Sequence, residues 1–250
     1  MTINWKKSAF VIADIALAAY LLLAITAFNM PDDQEDVCAK VEIMISDDAD
    51  DGFLGDGEIV EQLKRAKLYP QGLRMSQIDV RKIEEALRQN PFVEKAECYK
   101  TQGAQVHITL EQRLPVVRVK ADNGEDYYLD SHGAVMPNTH YASDLVIATG
   151  SISQKYAKKV LARIGNYVVK TPFWQSQIEQ FNVLPDGSLE MVPRVGDHVV
   201  YFGRPTNMQQ KLERLEKFYR YGLSVAGWNK YSYISMEFEN QIICKKRRKL

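Results

Sequence analysis

The spacing of hydrophobic positions changes several times along the chain, and each change marks a different kind of segment. From Ser8 to Phe28 the run SAFVIADIALAAYLLLAITAF is apolar on every face and 21 residues long. As a helix it would cover about 31 Å, the thickness of a bilayer's hydrocarbon core. Lys6 and Lys7 precede it, and Asp32, Asp33, Glu35 and Asp36 follow. The positive-inside rule therefore puts residues 1–7 in the cytoplasm and everything past residue 30 on the other side. Only a weak small-residue cleavage signal lies near Ala24 to Ala27, so the run over residues 8–29 is read as an uncleaved single-pass anchor that includes Ser8, Asp14, Leu21 and Phe28. Asp14 interrupts the run; at that depth it reaches the interface, takes a proton, or meets a polar group on a partner helix.

Beyond the anchor the pattern turns amphipathic. Residues 31 to 58 hold eleven acidic side chains against the single Lys40, which makes residues 30–36 a solvated connector. One period-two strand, Val41 to Ile45, sits among the acids. Gly55 to Gly57 then opens a helix with Ile59, Val60, Leu63 and Leu68 as its apolar stripe, Asp56 as the expected N-cap and Pro70-Gln71-Gly72 as its end. Ser76 or Asp79 caps a second helix in which Val80, Ile83, Glu84 and Leu87 recur at helical spacing, closed by Asn90-Pro91. Strands Val93 to Lys100 and Gln105 to Gln112 follow as a hairpin turning at Gln102-Gly103. Residues 37–115 thus read strand, helix, helix, strand, strand.

From residue 116 to 244 short strands dominate. They are predicted at Val116 to Lys120, Asp126 to Leu129, Ala134 to Met136, Leu145 to Thr149, Gln180 to Leu184, Leu189 to Val195 and Val199 to Phe202, punctuated by Asn123-Gly124, His132-Gly133 and Pro185-Asp186-Gly187 turns. Helices are predicted over Gln154 to Val169 and Met208 to Tyr221, the second turning Leu212, Leu215, Phe218 and Tyr219 inward. A last extended segment, Tyr231 to Cys244, is rich in β-branched and aromatic residues. At a sheet edge such a strand would expose backbone groups that another chain can pair with.

Composition narrows the function classes. Lys plus Arg and Asp plus Glu each total 32, so no global field draws the chain to nucleic acid. Cys38, Cys98 and Cys244 are far apart, odd in number and without a CxxC pair, which supports neither a structural zinc site nor a disulfide framework. Residues 47–58 resemble a calcium loop, but a strand precedes them and Ala49 takes a ligand position, so they are read as a solvated acidic loop. A weak millimolar cation site there stays open. His107, His132, His140 and His198 lack zinc spacing, and no GxSxG elbow, P-loop or GxGxxG turn occurs. Glu84-Glu85 lies on an amphipathic helix, where solvation or ion pairing is the simpler reading. No catalytic residue, metal, cofactor or small-molecule substrate is expected. The basic tail, residues 245–250, could meet an acidic partner, phospholipid heads or water.

Several motifs carry a resemblance. They are Cys38 before the first strand, Asn90-Pro91-Phe92-Val93, Glu111-Gln112-Arg113-Leu114-Pro115-Val116-Val117-Arg118-Val119, Tyr127-Tyr128-Leu129-Asp130, Gly133-Ala134-Val135-Met136-Pro137, Pro193-Arg194-Val195-Gly196, Lys217-Phe218-Tyr219 and Gly227-Trp228-Asn229-Lys230-Tyr231. In this order they resemble the bacterial cell-division family FtsQ/DivIB, in its Bacteroidetes-type members. The resemblance implies an α+β fold: an N-terminal transmembrane helix, a POTRA domain of order β-α-α-β-β over 37–115, and a mixed or antiparallel β domain with packed helices over 116–244. It also implies a non-enzymatic scaffold in the cell inner membrane at the division septum, its C-terminal domains periplasmic, binding FtsB and FtsL and helping control septal peptidoglycan synthesis. The family's partner contact maps here onto Glu237, Phe238, Asn240, Gln241, Ile242, Ile243 and Lys245. Glu237-Phe238 departs from the basic-Tyr pair of well-known members, which implies a charge-reversed partner surface. The alternative is a POTRA-type module that docks exported or secreted client polypeptides by strand addition. A membrane-anchored exported hydrolase finds no catalytic constellation to support it.

Overall fold

The computed structural model describes residues 5–28, 36–46, 54–139 and 144–248. Two compact units share them: Met1–Asn90 with Lys95–Glu111, and Pro91–Glu94 with Gln112–Leu250.

The first unit begins with helix α1, Trp5–Phe28. It coincides with the expected anchor, but among the described residues no helix is long and apolar enough to cross a membrane. Side chains of α1 are described between residues 13 and 24, where Asp14 and Leu21 are exposed; Ser8 and Phe28 lie outside that stretch.

Strand β1 (Lys40–Ser46), helices α2 (Asp56–Arg65) and α3 (Val80–Arg88), and strands β2 (Val93–Thr101) and β3 (Gln105–Gln112) follow. The sheet order is β1-β3-β2, with β1 parallel to β3. A parallel pair needs a long crossover, and the two helices lie in the chain that joins them. Ile59 and Leu63 of α2, and Ile83 and Leu87 of α3, are buried with Val106, Ile108 and Leu110 of β3. The apolar stripes of the sequence are therefore the buried helix faces. Asp79 caps α3 by accepting from the Lys82 amide. The expected cap of α2 shifts by one residue, because Gly55 holds the extended N-cap position. Asp56 falls in the first turn, where a negative charge still favours the positive end of the helix dipole. The 47–53 stretch of the calcium-like loop lies outside the described residues.

The second unit is a nine-stranded mixed sheet of order β12-β11-β10-β9-β8-β7-β4-β5-β6. Its strands are β4 (Pro115–Ala121), β5 (Asp126–Asp130), β6 (Val135–Pro137), β7 (Ile147–Gly150), β8 (Ile178–Val183), β9 (Leu189–Pro193), β10 (Val199–Gly203), β11 (Tyr231–Ser235) and β12 (Ile243–Lys246). Three neighbouring pairs are parallel, β4 with β7, β7 with β8, and β10 with β11. Helical crossovers join the last two of these pairs. The first contains α4 (Gln154–Tyr156), a π-helical turn Ala157–Leu161, α5 (Ala162–Val169) and α6 (Pro172–Gln177). The second contains α7 (Met208–Phe218), a π-helical turn Tyr219–Leu223 and α8 (Ser224–Ala226). Trp174, Phe181, Phe202 and Tyr219 are the largest buried side chains of this core. The predicted helix over 154–169 is continuous but carries the π turn, and α6, six residues started by Pro172, is too short to leave a periodic signal.

One expectation is overturned here. Tyr231 to Cys244 is not a single extended strand but a hairpin, with β11 running out and β12 returning antiparallel. In the turn Glu237, Phe238, Glu239 and Asn240 are all exposed, and Asn240 sits at φ 63°, in the left-handed region that Asn tolerates better than most residues.

Candidate functional site at the terminal hairpin

Of the two edges of the large sheet, β6 is three residues long and ends in Pro137, which offers no donor to a neighbouring strand. The other edge is β12. Its register pairs Tyr231 with Lys246, Tyr233 with Lys245, Ile234 with Cys244 and Ser235 with Ile243, with a bulge on β11 at Ser232. The Arg247 amide donates to the Lys230 carbonyl at 3.0 Å. Backbone groups alternate sides along an antiparallel strand, so the amides and carbonyls of Cys244 and Lys246 face away from β11, towards the open edge. Side chains alternate between the two faces as well. Ile242 and Cys244 pack on the core, whereas Ile243 and Lys245 are exposed.

The seven residues expected to touch a partner divide accordingly. Ile243 and Lys245 lie on β12; Glu237, Phe238, Asn240, Gln241 and Ile242 lie in the connecting loop. Phe238 (47% exposed) and Ile243 (49% exposed) present apolar side chains at the loop and the start of the edge. Together they give the hairpin an accessible apolar centre.

Helix α7 and the end of β10 fix the first half of that loop. Arg214 donates from one terminal nitrogen to the carbonyls of Met236 (3.1 Å) and Phe238 (3.0 Å). The Met236 amide donates to the Tyr201 carbonyl at 2.7 Å, and Met236 itself is fully buried. Gly203, at φ 64°, lets the Glu237 side chain settle against it; a Cβ there would approach Glu237 Cγ to 3.3 Å. Lys211, one turn before Arg214, donates to the carbonyls of Phe202 (2.6 Å) and Arg204 (3.0 Å). Burial and the neighbouring Arg214 push its pKa down, while Glu237 and Glu239 pull it up. Sequence reasoning missed Lys211, Arg214 and Gly203. The signal was the offset of the two cations from the Leu212 and Leu215 stripe of α7, which turns them towards the edge of the buried face.

The far end of β12 is anchored separately. Arg247 donates to the Asp197 carbonyl and lies 3.3 Å from its carboxylate. Next to Asp197, His198 is buried and its Nε2 is 2.7 Å from the Tyr219 hydroxyl. Tyr219 packs edge-on against Trp228, and the ring of Trp174 completes the cluster. Burial holds the His198 pKa below its ordinary value, and it pushes the Tyr219 hydroxyl well above its own.

The other candidate groups are dispersed. His107 stacks on Tyr99 and lies 3.4 Å from Glu42, His132 is exposed, and His140 lies outside the described residues. Cys38 and Cys98 are buried free thiols, and Cys244 is a half-buried one. Burial is the main cause that raises all three thiol pKa values, that of Cys98 to about 12. Among the described residues no group of three His, Cys, Asp or Glu side chains is arranged to hold a metal ion.

A three-stranded sheet under two helices, followed by a large mixed sheet, defines the class, and a POTRA-like domain model matches residues 36–111. The model described as FtsQ/DivIB, C-terminal related, matches residues 114–245, more than half of the chain, so the chain belongs to the FtsQ/DivIB family. That is a non-catalytic family of cell-division proteins. No curated protein matches the chain.

Proposed function

We propose that this protein is a non-enzymatic scaffold of the division machinery that captures small single-pass coiled-coil partners of the FtsB and FtsL type by strand addition at β12, and so helps control septal peptidoglycan synthesis. The observation that carries the reading is the open edge of β12, with the Cys244 and Lys246 backbone groups facing outward. Added main-chain hydrogen bonds supply affinity in such a mode, and side chains beside the edge supply selectivity. The membrane anchor is part of the proposal. It is supported by the apolar run from Ser8 to Phe28 and by the exposure of Ile15, Leu17, Tyr20 and Leu21 on α1, since a helix apolar all round needs an apolar surrounding. In this arrangement residues 1–7 are cytoplasmic and residues 30–250 lie in the periplasm. Confinement to one membrane raises the effective concentration of both partners, so a modest intrinsic affinity suffices.

Photo-crosslinking tests this in native membranes, with a benzophenone side chain placed at Phe238 and at Ile243 and the adducts identified by mass spectrometry. Adducts to a small single-pass coiled-coil protein are expected from both positions. Adducts to assorted exported polypeptides would replace the scaffold reading with client docking. Crosslinks confined to the chain itself would show that the edge is not the partner surface.

A further inference from the structure

We infer that the strand taken up by β12 is acidic at the end lying beside Lys245, Lys246 and Arg248, an inference that rests on the strand-addition reading above. The whole chain is neutral, with 32 basic and 32 acidic residues, yet its charge at the hairpin is sharply divided. At the loop end Glu237 and Glu239 are exposed; at the other end Lys245, Lys246, Arg247 and Arg248 are all exposed on one short stretch. Lys230, just before β11, accepts from the Arg247 amide and places its ammonium over the Tyr231 ring.

Arg247 is committed to the fold through Asp197. Among the described residues Lys245, Lys246 and Arg248 take part in no ion pair with a carboxylate. Asn229, Lys230, Lys246, Arg247 and Arg248 line a cavity of about 280 Å³. Adjacent like charges repel, and the repulsion is relieved when a partner brings the opposite sign. The basic end of the edge thus fits an acidic segment, with the exposed Ile243 lying between it and the acidic loop.

The test uses the full chain in nanodiscs of zwitterionic lipid and three synthetic peptides with one alternating Val-Thr core, flanked at one end by Glu, Ser or Lys. The Glu peptide is expected to bind about tenfold tighter than the Ser peptide at low salt, to lose that advantage as salt rises, and to protect the Cys244 and Lys246 amides from exchange. The Lys peptide should not bind. Replacing Lys245, Lys246 and Arg248 together by Glu leaves the Arg247 anchor intact and should invert the order. Equal binding of Glu and Ser peptides, or an unchanged order in the triple variant, overturns the inference. So does binding that appears only on vesicles containing phosphatidylglycerol and never with the Glu peptide. Partner crosslinks from Ile243 separate the two levels. If they persist at wild-type yield in the triple variant, the charge inference alone fails; if the unaltered chain gives none, the edge reading fails with it.

Discussion

His198 shows what one buried side chain does to the pH response. Its ring is held in the neutral form chiefly by burial, with Arg247 adding to that effect and Asp197 and the Trp228 backbone opposing it. In the unfolded chain the same ring takes up a proton near its ordinary value of 6.5. Below that pH the unfolded state binds more protons than the folded one, so the contribution of His198 is fully present above 6.5 and is lost progressively as pH falls. Thermal melts of the wild type and His198→Gln between about pH 7.5 and 5.5 should show the wild type losing more Tm than the variant. Equal slopes would mean that the ring does not titrate differently in the two states. Asp130 is the other demanding buried group. Its carboxylate receives Arg113 and the amides of His132 and Ala134, at 2.9 Å and 2.7 Å for the amides, so its charge is satisfied in place.

At the scale of elements, a single residue decides how β7 ends. Gly150 has φ 99°, and a Cβ there would overlap the Val183 carbonyl oxygen on the paired strand β8 and come within 2.7 Å of Asn182 Oδ1. Gly150→Ala should therefore destabilise by more than about 2 kcal/mol, read as a lowered urea midpoint, whereas Gly124→Ala, with φ 88° but nothing within 4 Å, should cost less. A smaller effect at Gly150 than at Gly124 would show that the β7–β8 pair can shift. Most of these elements were legible in the sequence because they are locally determined: the Ile59-Leu63 and Ile83-Leu87 stripes, the Asp79 cap and the Gly103 turn each rest on a few adjacent residues. The hairpin was not. Tyr231 to Cys244 has strand composition throughout, and whether it runs on or turns back depends on Arg214 and Gly203, which lie far away in sequence and hold the Met236 and Glu237 end of the loop. All seven residues expected to touch a partner belong to this one hairpin.

For the molecule as a whole, the sheet order sets an order of events. Strand β11 can pair with β10 only after the chain of residues 204–230 has crossed over, because the two strands are parallel. Strand β12 joins the sheet only through β11, so it reaches its place in the sheet no earlier than β11 does. Contacts separated by such long connections are slow to form, while helices form within microseconds. A refolding chain should therefore recover its helical circular dichroism before it regains capture of a partner peptide, and a simultaneous return would show that the hairpin docks early. On the strand-addition reading proposed above, the capturing edge is then the last piece of the sheet to be laid down, so readiness to bind would double as a report that the fold behind it is finished.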